Sequence, residues 1–300
     1  MTVAHLPLSR TLRLGNMKVH ALEAGLLWLD GGAMFGVVPR TLWERRCAPD
    51  GRHRIPLAAR CLLVEAGELL VVVDTGVGNK ESDKFMDIYG VENAGEPTRL
   101  EDAIRSLGYR VEDVDLVVNT HLHFDHAGGN VVLGEDGSLE PAFPNARYVM
   151  NEGELGFAAS PNERVRASYM AHNHEPLVEA GLVDLVDGPG RIVEGVRVEP
   201  TPGHTPFHQS VILESQGETA VFLADLCPTS AHLPLPWIMG YDLEPLVTLE
   251  TKRTVLGRAR EEGWILMFQH DPHVPWGRLD PAEEKPRLVP IQEERAPPPS

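Results

Sequence analysis

The sequence predicts an α+β domain on three observations: short apolar runs bounded by glycine in the first third, amphipathic stretches with helix signals between later apolar runs, and a hydrophobic content of 42% over 300 residues, ample for a packed core. The domain is expected to span residues 1–277. Residues 278–300 combine Pro281, Pro286, Pro290, Pro297, Pro298 and Pro299 with charged side chains, a composition that cannot bury enough apolar area to order itself and predicts a C-terminal tail.

Taken in order, residues 17–24 alternate as a strand does. Runs at 61–65 and 69–73 flank Ala66, Gly67 and Glu68, the spacing of a hairpin. Thr98 with Glu101 three residues on is a capping box, and the amphipathic run 100–107 closes at Gly108, which predicts a helix. A short buried strand follows at 116–118. Further strands are expected over 147–150, 196–199, 210–213, 220–223 and 265–268, and helices over 163–180 and 243–262, the second stopped by Gly263. Residues 26–54 carry Gly31, Gly32 and Gly36 beside Trp28, Met34, Phe35 and Trp43, and predict a long loop. Loops of that length inside a domain are usually binding loops or lids, so Trp28, Met34 and Phe35, with Trp237 further on, are taken as candidates to face a substrate.

Composition narrows the function. Forty-four acidic against 27 basic residues give a net charge of -17, which repels nucleic acid backbones, and there is no basic patch to reverse this. Cys47, Cys61 and Cys227 form no C-x-x-C pair, so neither a disulfide framework nor a thiolate zinc site is indicated. Residues 1–13 lack a secretory run, and no segment reaches the roughly 20 apolar residues of a membrane span. A cytoplasmic protein with a small-molecule substrate, no nucleic acid or membrane partner, and room for a homodimer is expected.

The chemistry concentrates in Thr120-His121-Leu122-His123-Phe124-Asp125-His126, just after the strand at 116–118. Four metal-competent side chains fall within six residues. Neutral imidazole and carboxylate are the usual ligands of zinc and related cations, and in an extended segment His121 and His123 project together while Asp125 and His126 turn to a neighbouring point. One segment can therefore serve two metals. His204 follows one expected strand, and Asp225 and His270 end two others, where the loops of a rigid sheet converge.

This T-H-x-H-x-D-H stretch, together with Asp74-Thr75-Gly76, Thr201-Pro202-Gly203-His204-Thr205, Asp225 and His270, resembles in order the five motifs of the metallo-β-lactamase superfamily. The resemblance covers about residues 17–277 and implies a four-layer αβ/βα sandwich, two mixed β-sheets flanked by helices. It further implies one metal on His121, His123 and His204, a second on Asp125, His126 and His270, Asp225 bridging, and Asp74 orienting the site from behind. Zinc is the first expectation, with iron, manganese or cobalt also accommodated by this donor set. His208 is either a second donor behind the ligands or a plain surface histidine. Cys227 is expected to pack as a small hydrophobe. The remaining histidines, His172 and His174 among them, are read as structural.

The implied mechanism is hydrolysis by a hydroxide shared between two cations roughly 3.5 to 4 Å apart, with Asp225 or Asp125 shuttling the proton. The stretch 201–210 is similar to that of the acyl-homoserine-lactone lactonases and related organophosphate hydrolases, and 225–237 is similar to the latter. Those lactonases commonly carry a tyrosine three residues after the bridging Asp, where this chain has Pro228. The expectation is a hydrolase of a small ester or lactone. The alternatives are a phosphotriester hydrolase of the same fold and, from another class, an iron-dependent oxidoreductase such as a persulfide dioxygenase.

Overall fold

In the computed structural model, which describes residues 6–93, 95, 97–134, 136–283 and 285–291, the chain opens with an antiparallel pair, β1 (Ser9–Leu14) and β2 (Met17–Asp30). The helices α1 (Gly31–Phe35) and α2 (Arg40–Trp43) lead to β3 (Arg54–Ala66) and its hairpin partner β4 (Leu69–Val73). The pairing of β2 with β3 shifts register between Glu23 and Leu26. Gly25 sits in that shift at φ 151°, and a Cβ there would lie 2.8 Å from Glu92 O, so only glycine fits.

Next come α3 (Asp83–Tyr89), capped by Ser82, and α4 (Arg99–Ser106), where Glu101 N donates to Thr98 Oγ1 at 3.2 Å as the sequence anticipates. Then follow β5 (Leu116–Val118), α5 (Phe124–Ala127), a small ribbon of β6 (Val131–Leu133) and β7 (Leu139–Pro141), β8 (Arg147–Asn151), α6 (Glu152–Ala159), α7 (Glu175–Glu179) and β9 (Val183–Val186). The first sheet has the order β1-β2-β3-β4-β5-β8-β9, and its last four strands run parallel.

The second half repeats the theme. β10 (Gly190–Val193), β11 (Val196–Pro200), β12 (Gln209–Ser215) and β13 (Glu218–Phe222) form an antiparallel meander. After α8 (Pro245–Glu261), β14 (Ile265–Met267) joins β13 in parallel, and β15 (Trp276–Leu279) and β16 (Leu288–Pro290) complete a second seven-stranded sheet.

Alternation along the strands accounts for the layers. On β3 and β4, Leu62, Val64, Val71 and Val73 face the second sheet, while Cys61, Leu63 and Val72 face α4 through Leu100, Ala103 and Ile104. On β13, Ala220 and Phe222 join the core between the sheets, while Val221 packs with Val255, Leu256 and Ala259 of α8. Strands buried on both faces read as unbroken apolar runs, and helix, sheet, sheet, helix is the four-layer sandwich that the resemblance implies.

Three expectations need correction. Residues 26–54 are not one loop: β2 runs on to Asp30, and two short helices fill much of the remainder. The helix expected over 163–180 is broken into a 3-10 turn, Ala171–Asn173, and the five-residue α7. Pro176 lies in the first turn of α7, and its missing N–H and bulky ring stop a helix from running through. The boundary placed after residue 277 falls inside the second sheet, because β15 extends to Leu279 and β16 pairs with it. Leu288 and Ile291 supply the apolar contacts that proline and charge content conceal; the rest of the expected tail, 292–300, lies outside the described residues. Among the described residues no helix is long and apolar enough to cross a membrane.

Candidate metal centre

The ends of β4 and β5 set the position of the histidine-rich segment. Asp74, just past β4, is fully buried in the left-handed region at φ 54°, a conformation that aspartate tolerates better than branched residues. Its Oδ1 accepts from Thr120 N at 2.8 Å, and its Oδ2 accepts from Thr120 Oγ1 at 2.8 Å and from His126 Nδ1 at 3.0 Å. The segment between β5 and α5 is thereby locked, and Nε2 of His126 is aimed inward.

The other imidazoles are held by the same device. His204 Nδ1 donates to Asp242 Oδ1 at 2.9 Å, His270 Nδ1 donates to Ala58 O at 2.8 Å, and His121 Nδ1 lies 3.2 Å from Thr120 Oγ1. One ring nitrogen is thus tied to the protein, which fixes the tautomer and leaves the other as an inward lone pair. His123 instead turns Nδ1 inward, 3.0 Å from His121 Nε2 and 3.1 Å from His204 Nε2.

Two groups of donors result. His121, His123, His204 and Asp225 form one, and Asp125, His126 and His270 the other, with the ligand atoms of each group within 4.8 Å of one another. Asp225 faces both: Oδ2 is 3.0 Å from His204 Nε2 and Oδ1 is 3.0 Å from His270 Nε2. His126 Nε2 and His270 Nε2 are 3.3 Å apart, and His270 Nε2 and Asp125 Oδ2 are 3.7 Å apart. Ligands on a tetrahedral cation with bonds of about 2.1 Å stand roughly 3.4 Å from one another, so these separations suit a divalent metal ion. All seven residues singled out in the sequence meet here.

Without a cation the cluster is an electrostatic conflict. Burial and the neighbouring imidazoles push His121 and His123 well below the usual histidine range. For His204 burial acts the same way, but Asp225 and Asp242 prevail and raise it to about 10. His126 is likewise held well above its ordinary value, with the carboxylates of Asp225, Asp125 and Asp74 outweighing burial. Asp225, which burial alone would raise, is held far below the carboxylate range by the imidazoles of His204, His126 and His270.

His208 is a buried support, not a surface residue. Its Nε2 accepts from Asp225 N at 3.3 Å, its Nδ1 lies 2.8 Å from Thr201 Oγ1, and burial followed by the His204 charge lowers it to about 3. Cys227 packs under α8 as expected, and burial pushes its thiol up to about 11. Two further carboxylates, Glu154 and Asp242, support the donors from behind. Glu154 is fully buried and accepts from Leu122 N, Tyr169 Oη and Thr205 Oγ1 at 3.1, 2.7 and 2.8 Å, which ties the two ligand-bearing loops together. Neither carboxylate lies in a sequence pattern that would mark it.

Over the donors opens a cavity of about 270 Å³. His123, Asp125, His204, Asp225 and His270 form its floor; Leu29, Met34, Leu57, Val165, Met239 and Leu243 form apolar walls; Tyr89, Tyr241, Arg164 and Ser168 add polar groups. Of the four side chains expected to face a substrate only Met34 does so. Trp28 alternates with Leu27 and Leu29 on β2, so it points to the other face, where Nε1 donates to Glu92 Oε1 at 3.1 Å. Phe35 is fully buried, stacked between Trp43 and His232 with ring centres 5.4 and 4.4 Å away, and Trp237 packs edge-on against it at 5.6 Å. Phe35 and Trp237 hold up the cavity wall from behind without reaching the cavity.

Known proteins resemble this chain in sequence and in fold. An N-acyl homoserine lactonase of a Bacillus species is 29% identical over 231 residues, which cover 72% of this chain and 82% of that protein. A probable metal-dependent hydrolase from Staphylococcus aureus superposes with a TM-score of 0.86 at 27% identity, over 95% of this chain and 100% of that one. AidC, a dizinc quorum-quenching lactonase, superposes with a TM-score of 0.76 over 96% of this chain and 99% of its own, and its 21% identity shows a shared fold. Residues 54–270, more than half the chain and all seven inward-facing donors, match the family described as the metallo-beta-lactamase superfamily, and to that superfamily the chain belongs.

Proposed function

We propose that the chain is a hydrolase that holds two divalent cations, zinc first among them, and cleaves a small ester or lactone with an apolar acyl part. The observation that carries this reading is Asp225, which offers one oxygen to each donor group at 3.0 Å. His121, His123 and His204 would hold one cation, and Asp125, His126 and His270 the other. Bound cations supply Lewis acidity, which acidifies water toward neutral pH and polarises an acyl oxygen. That AidC is a dizinc enzyme supports zinc, and the Bacillus relatives, N-acyl homoserine lactonases by name, support a lactone.

The protein's own groups do the rest. Asp74, Asp242 and Ala58 O fix the inward tautomers, so the donors are already in place when substrate arrives. Asp125 lies on the cavity floor with 12% of its side chain exposed against 8% for Asp225, so we assign to it the proton of the attacking water. The walls of Leu29, Leu57 and Leu243 shed water around the scissile group and fit an alkyl or acyl chain. A cavity of this size suits a short chain.

The test is metal analysis of purified protein, then hydrolysis of alkyl-substituted γ-lactones, aryl esters and phosphotriesters before and after chelation. We expect about two zinc ions per chain, lactone or ester turnover at least 100-fold above phosphotriester, loss with chelator and recovery with zinc. Preference for a phosphotriester would replace the substrate class, and iron with oxygen uptake would replace the reaction.

A further inference from the structure

The donors around the scissile bond are unevenly supplied. The ring N–H groups of His126, His204 and His270 are committed to Asp74, Asp242 and the carbonyl of Ala58, so none can reach a substrate oxygen. Pro228, three residues after Asp225, brings no donor, and its carbonyl accepts from His270 N at 2.9 Å. An oxygen that gains charge during attack on an acyl carbon needs a donor already aimed at it.

Tyr241 brings a phenol to the same cavity. It lines the cavity together with His123, Asp125, His204, Asp225 and His270, within reach of the charge of Asp125 and the phenol of Tyr89. The residue is 39% exposed, at the cavity, and its hydroxyl has no hydrogen-bond partner among the described residues. Its backbone is fixed from both sides: Gly240 N donates to Ala33 O at 2.8 Å, Gly240 O accepts from Arg164, and Leu243 N donates to His204 O at 3.1 Å. Asp242, the next residue, grips His204. The loop that carries Tyr241 is therefore registered directly on the donor cluster, and a phenol without an internal partner on a pinned loop is preorganised for a ligand.

Resting on the reading of the site as an ester or lactone hydrolase, we propose that Tyr241 donates a hydrogen bond to the acyl oxygen of the substrate and to the oxyanion it becomes. The phenol serves as donor and keeps its proton. Burial, then Asp30, Asp125 and Tyr89, push it up to about 12, so it remains protonated across any working pH.

The experiment compares zinc-loaded wild type, Y241F and Y89F by steady-state kinetics on the best lactone or aryl ester, and by calorimetric binding of hexylphosphonate, a tetrahedral oxyanion mimic. For Y241F we expect kcat to fall 10- to 100-fold with KM within threefold, hexylphosphonate affinity to weaken about tenfold, and metal content and melting temperature to stay at wild-type values. Three results would overturn the assignment: kcat and phosphonate affinity both within threefold of wild type, loss of metal in Y241F, or a larger loss in Y89F. Should wild type cleave no ester or lactone, the substrate reading fails on its own, and the phosphonate comparison still decides for or against Tyr241, with no difference counting against it.

Discussion

Four metal-competent residues within six positions are legible in a sequence because the chemistry needs those residue types close together, and all seven donors marked there converge in space. The residues that aim them are not legible. Asp242 lies 38 positions from His204, and Glu154 lies 51 from Thr205, in stretches that look ordinary until the chain folds. The role of Asp242 gives a direct prediction. Asp242→Ala frees the His204 ring without removing a donor, and zinc affinity should fall 10- to 100-fold in competition with a chromophoric chelator; unchanged affinity would show that the ring is oriented by other means. His232 offers a prediction about pH. It is fully buried, donates to Met34 O through Nε2 at 2.9 Å, and burial lowers it to about 3. Its unfolded value is near 6.5, so the unfolded chain binds the proton first: the associated stability is present above pH 6.5 and is lost as pH falls toward 3, at up to about 1.4 kcal/mol per pH unit. Urea unfolding at pH 6.5 and 5 should show wild type losing about 2 kcal/mol more than His232→Asn over that interval. Equal slopes would mean that His232 is not the group that titrates.

Among the secondary elements, those buried on both faces announce themselves. β3, β4, β12 and β13 appear as apolar runs with glycine turns, and α4 and α8 are bounded by Thr98 and Gly263. Edge elements do not: β9, β10 and β16 alternate irregularly and are half exposed, because one face or one edge meets water and selection on the pattern is weak. β16 was hidden within a segment whose prolines suggest disorder. Ending the chain after Asp280 should therefore destabilise the domain by about 1–3 kcal/mol, through lost burial of Leu288 and Ile291 and an uncovered β15, rather than leave it unchanged as removal of a tail would. Urea midpoints of the two lengths decide this. The loop between β11 and β12 holds a sharper constraint. Gly203 has φ 134°, and a Cβ there would lie 2.4 Å from Thr248 N at the start of α8. Gly203→Ala must either distort that helix or displace His204, so we expect a loss of about 2 kcal/mol or more together with weakened zinc binding. Parent-like values of both would contradict the geometry.

For the whole molecule, the two sheets meet at a polar seam as well as at an apolar core. Arg60 on β3 is buried with Glu23, Nη2 to Oε1 at 2.6 Å, and its Nη1 donates to Phe268 O just beyond β14, two residues before His270. The donor groups are likewise divided between the sheets: His121, His123, Asp125 and His126 follow β5 of the first, while His204, Asp225 and His270 follow strands of the second. A cation pair at this junction would act as a clasp between the two halves. Without it, the carboxylates buried among the imidazoles keep protons on His204 and His126, which are held above their ordinary range. Loading with zinc at pH 7 should therefore expel one to two protons per chain, read from binding heats in two buffers of different ionisation enthalpy. Metal bound only by the folded state at 1,000 times its dissociation constant stabilises it by about 4 kcal/mol, so chelation should lower the melting temperature by roughly 10 °C. A melting temperature indifferent to chelator, with no proton released, would mean that the junction closes without a cation and that the seven donors serve the fold alone.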